Sequence, residues 1–383
     1  MFRPPTFRRF SIVPLLAGLV ALSIAAAPVS GAGGWSTPTA AGTVTFCSDV
    51  STAVDADGAQ HVAAECGTRV RYLTNASGSW VTTTFGHPVG RADLVPQISI
   101  DEENVYVAYT RASFLFCGID SKVATVYYRW KPLSGGAWSS PTRLGMTGDR
   151  LQAFHVRDAV LHATVNQLDG DIVYETSAGG SLGRYVLPGS VGRSALAIGT
   201  DGVARIVYQT ASLMRYAVFH GSGVEWSAIP GVGAEYERPL LALDSENRAH
   251  VVYSHGPIGQ RDSLQGPLCG DDIPFSNDGT YYVTNATGEW TPASGRRFTR
   301  NLGADSLLVN AESGAVDLLV AGRDSIKHYT KPARGAWSGV TIASQTAEDV
   351  ALALDGPSGQ LVAAYSRILP DGELGGLVSL TKP

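Results

Sequence analysis

The 383-residue chain is short of most features that would identify a function directly. It has no Cys-x-x-Cys pair and no Cys/His cluster at zinc spacing, which leaves its four cysteines without a metal-ligand pattern. Beyond residue 32 no segment approaches the roughly 18 consecutive apolar residues that a membrane span needs, so insertion is not expected. Nothing reads as an amphipathic helix of useful length. Basic residues are also scarce, with 29 Lys and Arg against 34 Asp and Glu. Three of the basic residues, Arg3, Arg8 and Arg9, belong to the leader, which leaves 26 against 34 in the remainder. An acidic chain of this kind argues against a nucleic-acid partner, because phosphate recognition requires a basic face.

Residues 1–32 have the plan of a signal peptide. The basic leader is followed by an apolar run from Ile12 to Ala27 and by the small residues Ser30-Gly31-Ala32, where a peptidase can cut. The expected location is therefore outside the cell or in the periplasm, a setting in which disulfides persist. Four cysteines allow three pairings. The expected pairs are Cys47 with Cys66 inside the first repeat and Cys117 with Cys269 across two long loops, with a different pairing, such as Cys66 with Cys117, as the alternative.

What the chain does contain is a repeat. Seven segments share one plan: an apolar strand, a turn rich in Asp, Asn and Gly, and a second apolar strand that often ends in Tyr. The plan is clear in 196–209, LAIGTDGVARIVYQ, and in 241–254, LALDSENRAHVVYS; it is weak only in 154–165. Taking Val54, Ile100, Val156, Ile198, Leu243, Val309 and Leu354 as equivalent gives spacings of 46, 56, 42, 45, 66 and 45 residues. A period in the forties built of short β-rich runs is the signature of propeller blades. Each unit continues into a third strand, a Gly-rich turn and a fourth strand announced by Trp80, Trp138, Trp226, Trp290 or Trp337, with Leu182 in that slot of the third unit. Large aromatics at a regular slot fill the widening gaps between blades.

The last unit stops before any tryptophan strand, while Trp35-Ser36-Thr37-Pro38 copies Trp138-Ser139-Ser140-Pro141. The prediction is an all-β, seven-bladed β-propeller over residues 33–383, with four-stranded antiparallel blades and an N-terminal strand that completes the last blade. Closure of this kind removes exposed sheet edges. His61 and His250 open the second strand of two units, and their recurrence predicts a structural hydrogen bond on the face opposite the channel mouth.

These residues resemble the seven-bladed propellers of the sialidase-like superfamily and the secreted BNR-repeat proteins, whose third-to-fourth-strand turns carry the Asp-box Ser-x-Asp-x-Gly-x-x-Trp. Gly78/Trp80, Gly288/Trp290 and Gly335/Trp337 keep the glycine and the tryptophan, and none of these turns has the aspartate. The resemblance spans residues 34–383 and implies a ligand face at one mouth of the channel. Asp49, Arg193, Arg238 and Asp349, each five residues before its register position, ring that mouth with Asp93, Arg150, Asp305 and Glu348 close by. Two long loops, 111–122 and 255–278, add Arg111 and then His255, Arg261, Asp262, Asp271 and Asp272.

The leading expectation is a secreted, monomeric binding or scaffold protein that holds a carbohydrate or peptide at this mouth without a cofactor. A calcium ion at Asp271-Asp272 is the one metal considered. The alternative is a carbohydrate-active enzyme. A sialidase-like site implies an arginine cluster, for which Arg111, Arg193 and Arg238 are the candidates, and a Tyr/Glu couple, for which Tyr236 and Glu237 are the nearest match. A lyase would use His255 with Tyr236.

Overall fold

The computed structural model describes residues 34–115, 118–221, 223–233, 236–255, 279–291, 304–321, 325–344, 347–355, 359–368 and 374–382. The leader, Cys117, Cys269, Arg261, Asp262, Asp271 and Asp272 lie outside them. Seven antiparallel sheets follow one another along the chain, six with four strands and the fifth with three described strands. The inner strands are Cys47–Val54, Arg91–Ile100, Arg150–Arg157, Ser190–Ile198, Tyr236–Leu243, Ala304–Val309 and Ala347–Leu354. Each inner strand contacts the next, and the seventh contacts the first, so the sheets form a closed ring of blades.

No central core unites the blades. Each of the seven interfaces holds its own apolar cluster, from blade 1 against blade 2 (Val70, Tyr72, Ile98, Val107) round to blade 7 against blade 1 (Val62, Leu73, Ala364, Leu377). This explains why the second strands do not alternate between apolar and polar. Gln60–Cys66 and Val316–Ala321 are buried along their whole length because a neighbouring blade covers each face.

The tryptophans bridge the interfaces as the repeat implied, with one exception. Trp138 of blade 2 packs edge-on against Tyr72 and Phe85 of blade 1, with both centroid distances 4.8 Å. Trp290 meets Tyr216 at 5.3 Å and Trp337 meets Tyr282 at 5.2 Å in the same edge-on fashion, each reaching the preceding blade. Trp226 instead leans on Tyr208 of its own blade and is 41% exposed; Phe219 takes the bridging role, 4.4 Å from Tyr174 of blade 3. Leu182 is also exposed, so the third blade has no side chain in that slot's packing role.

On the face opposite the mouth, the hairpin turns are fastened by their own aspartates. Asp55 Oδ1 accepts the N–H groups of Asp57 and Ala59 at 3.0 and 2.8 Å, and Asp244 Oδ1 does the same for Glu246 and Arg248. His61 lies between Asp55 Oδ2, 2.9 Å from Nε2, and the Tyr72 hydroxyl, 2.5 Å from Nδ1. His250 with Tyr282 at 2.7 Å and His162 with Tyr174 at 2.6 Å repeat the contact to tyrosine, and Asp244 Oδ2 stands 3.6 Å from His250 Nε2. Burial lowers the pKa of all three imidazoles, that of His162 to about 4, which keeps them neutral struts between strands.

The ring closes through the N-terminal segment. Thr39 and Ala40 pair antiparallel with Ser379 and Val378, Ser36 N–H donates to the Thr381 carbonyl at 2.8 Å, and Ala41 N–H donates to that of Leu377 at 2.9 Å. Trp35 is fully buried between blades 6 and 7, with His328 5.2 Å away edge-on. The two-residue strand is too short to hold the ring by itself, and the indole supplies the anchor. Trp35→Ala is therefore expected to lower stability by roughly 3–5 kcal/mol, the usual cost of truncating a buried aromatic. Urea unfolding followed by tryptophan fluorescence measures it, and a loss below about 1 kcal/mol would show that closure does not depend on this side chain.

Candidate functional site at the channel mouth

One backbone device recurs at the mouth end of every inner strand. The ladder between inner and second strand slips in all seven blades: between Ser48 and Val50, Leu94 and Gln97, Leu151 and Ala153, Ser190 and Ser194, Glu237 and Leu240, Ala304 and Ser306, and Ala347 and Val350. A β-bulge frees a residue from the ladder and re-aims its side chain. The skipped positions include Asp49, Arg193, Arg238, Asp305, Glu348 and Asp349, the charged ring inferred from the repeat register. Asp49 and Val95 adopt φ of 45° and 50°, as bulge residues do and regular strand residues do not.

The first and last blades are joined at this level by a chain of polar contacts. Asp349 N–H donates to Ser366 Oγ at 3.1 Å, and its carboxylate accepts Asp49 N–H at 2.8 Å. Asp49 hydrogen-bonds to Glu65, whose Oε2 accepts Val95 N–H of blade 2 at 3.3 Å. Glu65 is buried, and burial, followed by the charge of Asp49, pushes its pKa well above the usual carboxylate range. A protonated Glu65 can donate to Asp49 while accepting from blade 2, and the Asp49 N–H carries the run of contacts on to blade 7. Nothing in the sequence signals this residue, which sits in an ordinary second strand. The Cys47–Cys66 disulfide closes the same end of blade 1, where the two cysteines stand opposite each other in the ladder.

Arg111 is committed elsewhere. Its Nε and Nη2 donate to the two carboxylate oxygens of Asp93 at 2.6 and 2.8 Å, Nη2 also reaches the Gly86 carbonyl, and the guanidinium lies over the rings of Tyr109 and Tyr127. Asp93 is fully buried. Arg111, a candidate for ligand binding and for a substrate clamp, thus neutralises a buried aspartate. The segment read as a long loop over 111–122 is likewise an extended hairpin, in which Asn104–Leu115 pairs with Gly118–Pro132.

The other candidates are placed less fully. Arg193 is half-buried on the inner strand of blade 4 and engaged in polar contact. Tyr236 stands opposite His255 and Glu237 opposite Ser254 in the blade 5 ladder, but the side chains of Tyr236, Glu237, Arg238 and His255 lie outside the described set. Among the described residues no group of three or more His, Cys, Asp or Glu side chains is arranged to hold a metal ion. The calcium candidate Asp271-Asp272 and the Cys117–Cys269 pair fall outside those residues. No helix among them is long and apolar enough to cross a membrane.

No protein-family model matches this chain, and no curated protein does. Solved structures do. A protein of unknown function from Dyadobacter fermentans superimposes with a TM-score of 0.56 at 10% identity, covering 91% of this chain and 99% of that one. The β-propeller domain of Myceliophteria thermophila Cps50 (Swd1) gives 0.51 at 10% identity over 90% of this chain and 99% of its own. A Trypanosoma rangeli sialidase in complex with sialic acid gives 0.49 at 8% identity, and this chain spans 54% of it. At these identities the likeness establishes the propeller fold alone.

Two outcomes test the site. Glu65 has a raised pKa, so its contribution to stability is complete below its ordinary value of 4.5 and is lost as pH rises through the raised folded value. Glu65→Gln is always neutral and escapes that loss, so urea unfolding at pH 4.5 and pH 8 is expected to show the variant gaining on the wild type at the higher pH; parallel profiles would contradict the protonated assignment. Arg111→Ala strands Asp93 and is expected to cost about 3–5 kcal/mol, part of which returns in Arg111→Ala/Asp93→Ala. Simple additivity of the two changes would mean that the pair is not coupled.

Proposed function

We propose that this chain is a secreted, noncatalytic binding propeller that recognises a hydroxyl-rich ligand, a carbohydrate before a peptide, at the mouth of its channel. The observation that supports this reading is the bulge repeated in all seven inner strands, at positions that in most blades carry Asp, Glu or Arg. Acidic and basic groups spaced round a rigid ring suit a neutral polar ligand that needs donors and acceptors on several sides. Sites already held in hydrogen-bonded networks lose little freedom on binding. The Cys47–Cys66 bond is compatible with a location outside the cytoplasm.

The enzyme reading is weaker on one specific ground. A carboxylate clamp needs cations free to meet the substrate, and Arg111 spends its guanidinium on Asp93. Glycan and peptide arrays probed with the purified protein test both readings. Saturable binding is expected, reduced about tenfold by Arg193→Ala, the size of one charge-assisted hydrogen bond. Asp57→Asn, on the opposite face, is expected to leave it unchanged. Turnover of a fluorogenic sialoside or a uronic-acid polysaccharide would replace this reading with the enzymatic one, and binding indifferent to Arg193 would remove the mouth as the site.

A further inference from the structure

A second recess lies away from the channel, at the outer rim between blades 6 and 7, where the closing N-terminal segment crosses towards blade 1. It encloses about 650 Å3, within the range of small-molecule sites. Pro38, Ala40, Ile342 and Val378 give it apolar walls, while Thr45 and Ser344 add hydroxyls. Of the side chains that line it, only Arg367 is charged. The Arg367 side chain is exposed and its guanidinium enters no ion pair or hydrogen bond among the described residues, whereas Arg111, Arg184, Arg205 and Arg248 are each paired with a carboxylate.

We propose that this cleft binds a small organic carboxylate with a compact apolar body. The guanidinium fork of Arg367 would take the carboxylate, since paired N–H donors match its two oxygens. The body would lie against Ala40, Ile342 and Val378, removing apolar surface from water. The ligand class follows from the pairing of one cation with apolar walls: a phosphate or sulfate would leave the walls unused, and a neutral apolar molecule would leave the guanidinium unused. The site shares no residue with the mouth ring, so it stands or falls independently of the function proposed above.

The test uses the full purified chain and two probes with the same body, N-acetyl-L-leucine and N-acetyl-L-leucinamide, followed by saturation-transfer NMR titration. The acid is expected to bind saturably and at least tenfold more tightly than the amide. Arg367→Gln, which keeps the length and loses the charge, is expected to abolish that preference. Ala40→Trp fills the recess from an exposed edge position with no core contact to disturb, and is expected to abolish binding of both probes; thermal denaturation confirms that each variant is folded. Equal binding of acid and amide, no saturable binding of either, or binding that survives both substitutions because the probe sits in the mouth would each overturn the proposal.

Discussion

Ring closure is the constraint on which the other features rest. Seven sheets packed side by side bury apolar surface only where a neighbour exists, and an open arc would leave two faces of β-sheet uncovered. Closure by the N-terminal segment turns those two faces into one more interface. Trp35 fills the gap between blades 6 and 7, and Thr39 and Ala40 cap the edge of the last sheet. The interface between blades 7 and 1 is then as apolar as the rest, and its mouth end is finished by the Asp349–Asp49–Glu65 contacts.

The two faces of the ring divide the labour. Opposite the mouth, an aspartate folds the hairpin turn in blades 1 and 5, and a buried histidine meets a tyrosine of the third strand in blades 1, 3 and 5. At the mouth the backbone device repeats but the residue does not: the bulges carry aspartate, glutamate, arginine or an uncharged residue in different blades.

Much of this was legible in the sequence. The period and the copy of the Trp138 segment at Trp35 gave blade number and closure, because strands and turns leave local signatures that repeat. Five residues before the register position lies a bulge residue in five of the seven blades. What stayed hidden depends on contacts between distant segments. Glu65 acquires its character from burial and from the charges of Asp49 and Asp349, against the opposing hydrogen bond of Val95, and no pattern within its own strand announces that. The Arg111–Asp93 pair is hidden in the sequence because a bulge obscures the register of the ladder; only with the bulge placed does Asp93 fall opposite Arg111. Trp226 shows the limit of repeat logic, since Phe219 displaced it from the slot its position promised.

The disulfide has a mechanical consequence. The closing segment runs directly from Trp35 into the inner strand of blade 1, so tension applied at the N-terminus would peel it from the last blade and then begin to draw out the first. At Cys47 that tear meets a covalent bond to Cys66 in the adjacent strand, which shares the load across the hairpin. The hairpin between the two cysteines is thus shielded from a rupture that starts at the seam.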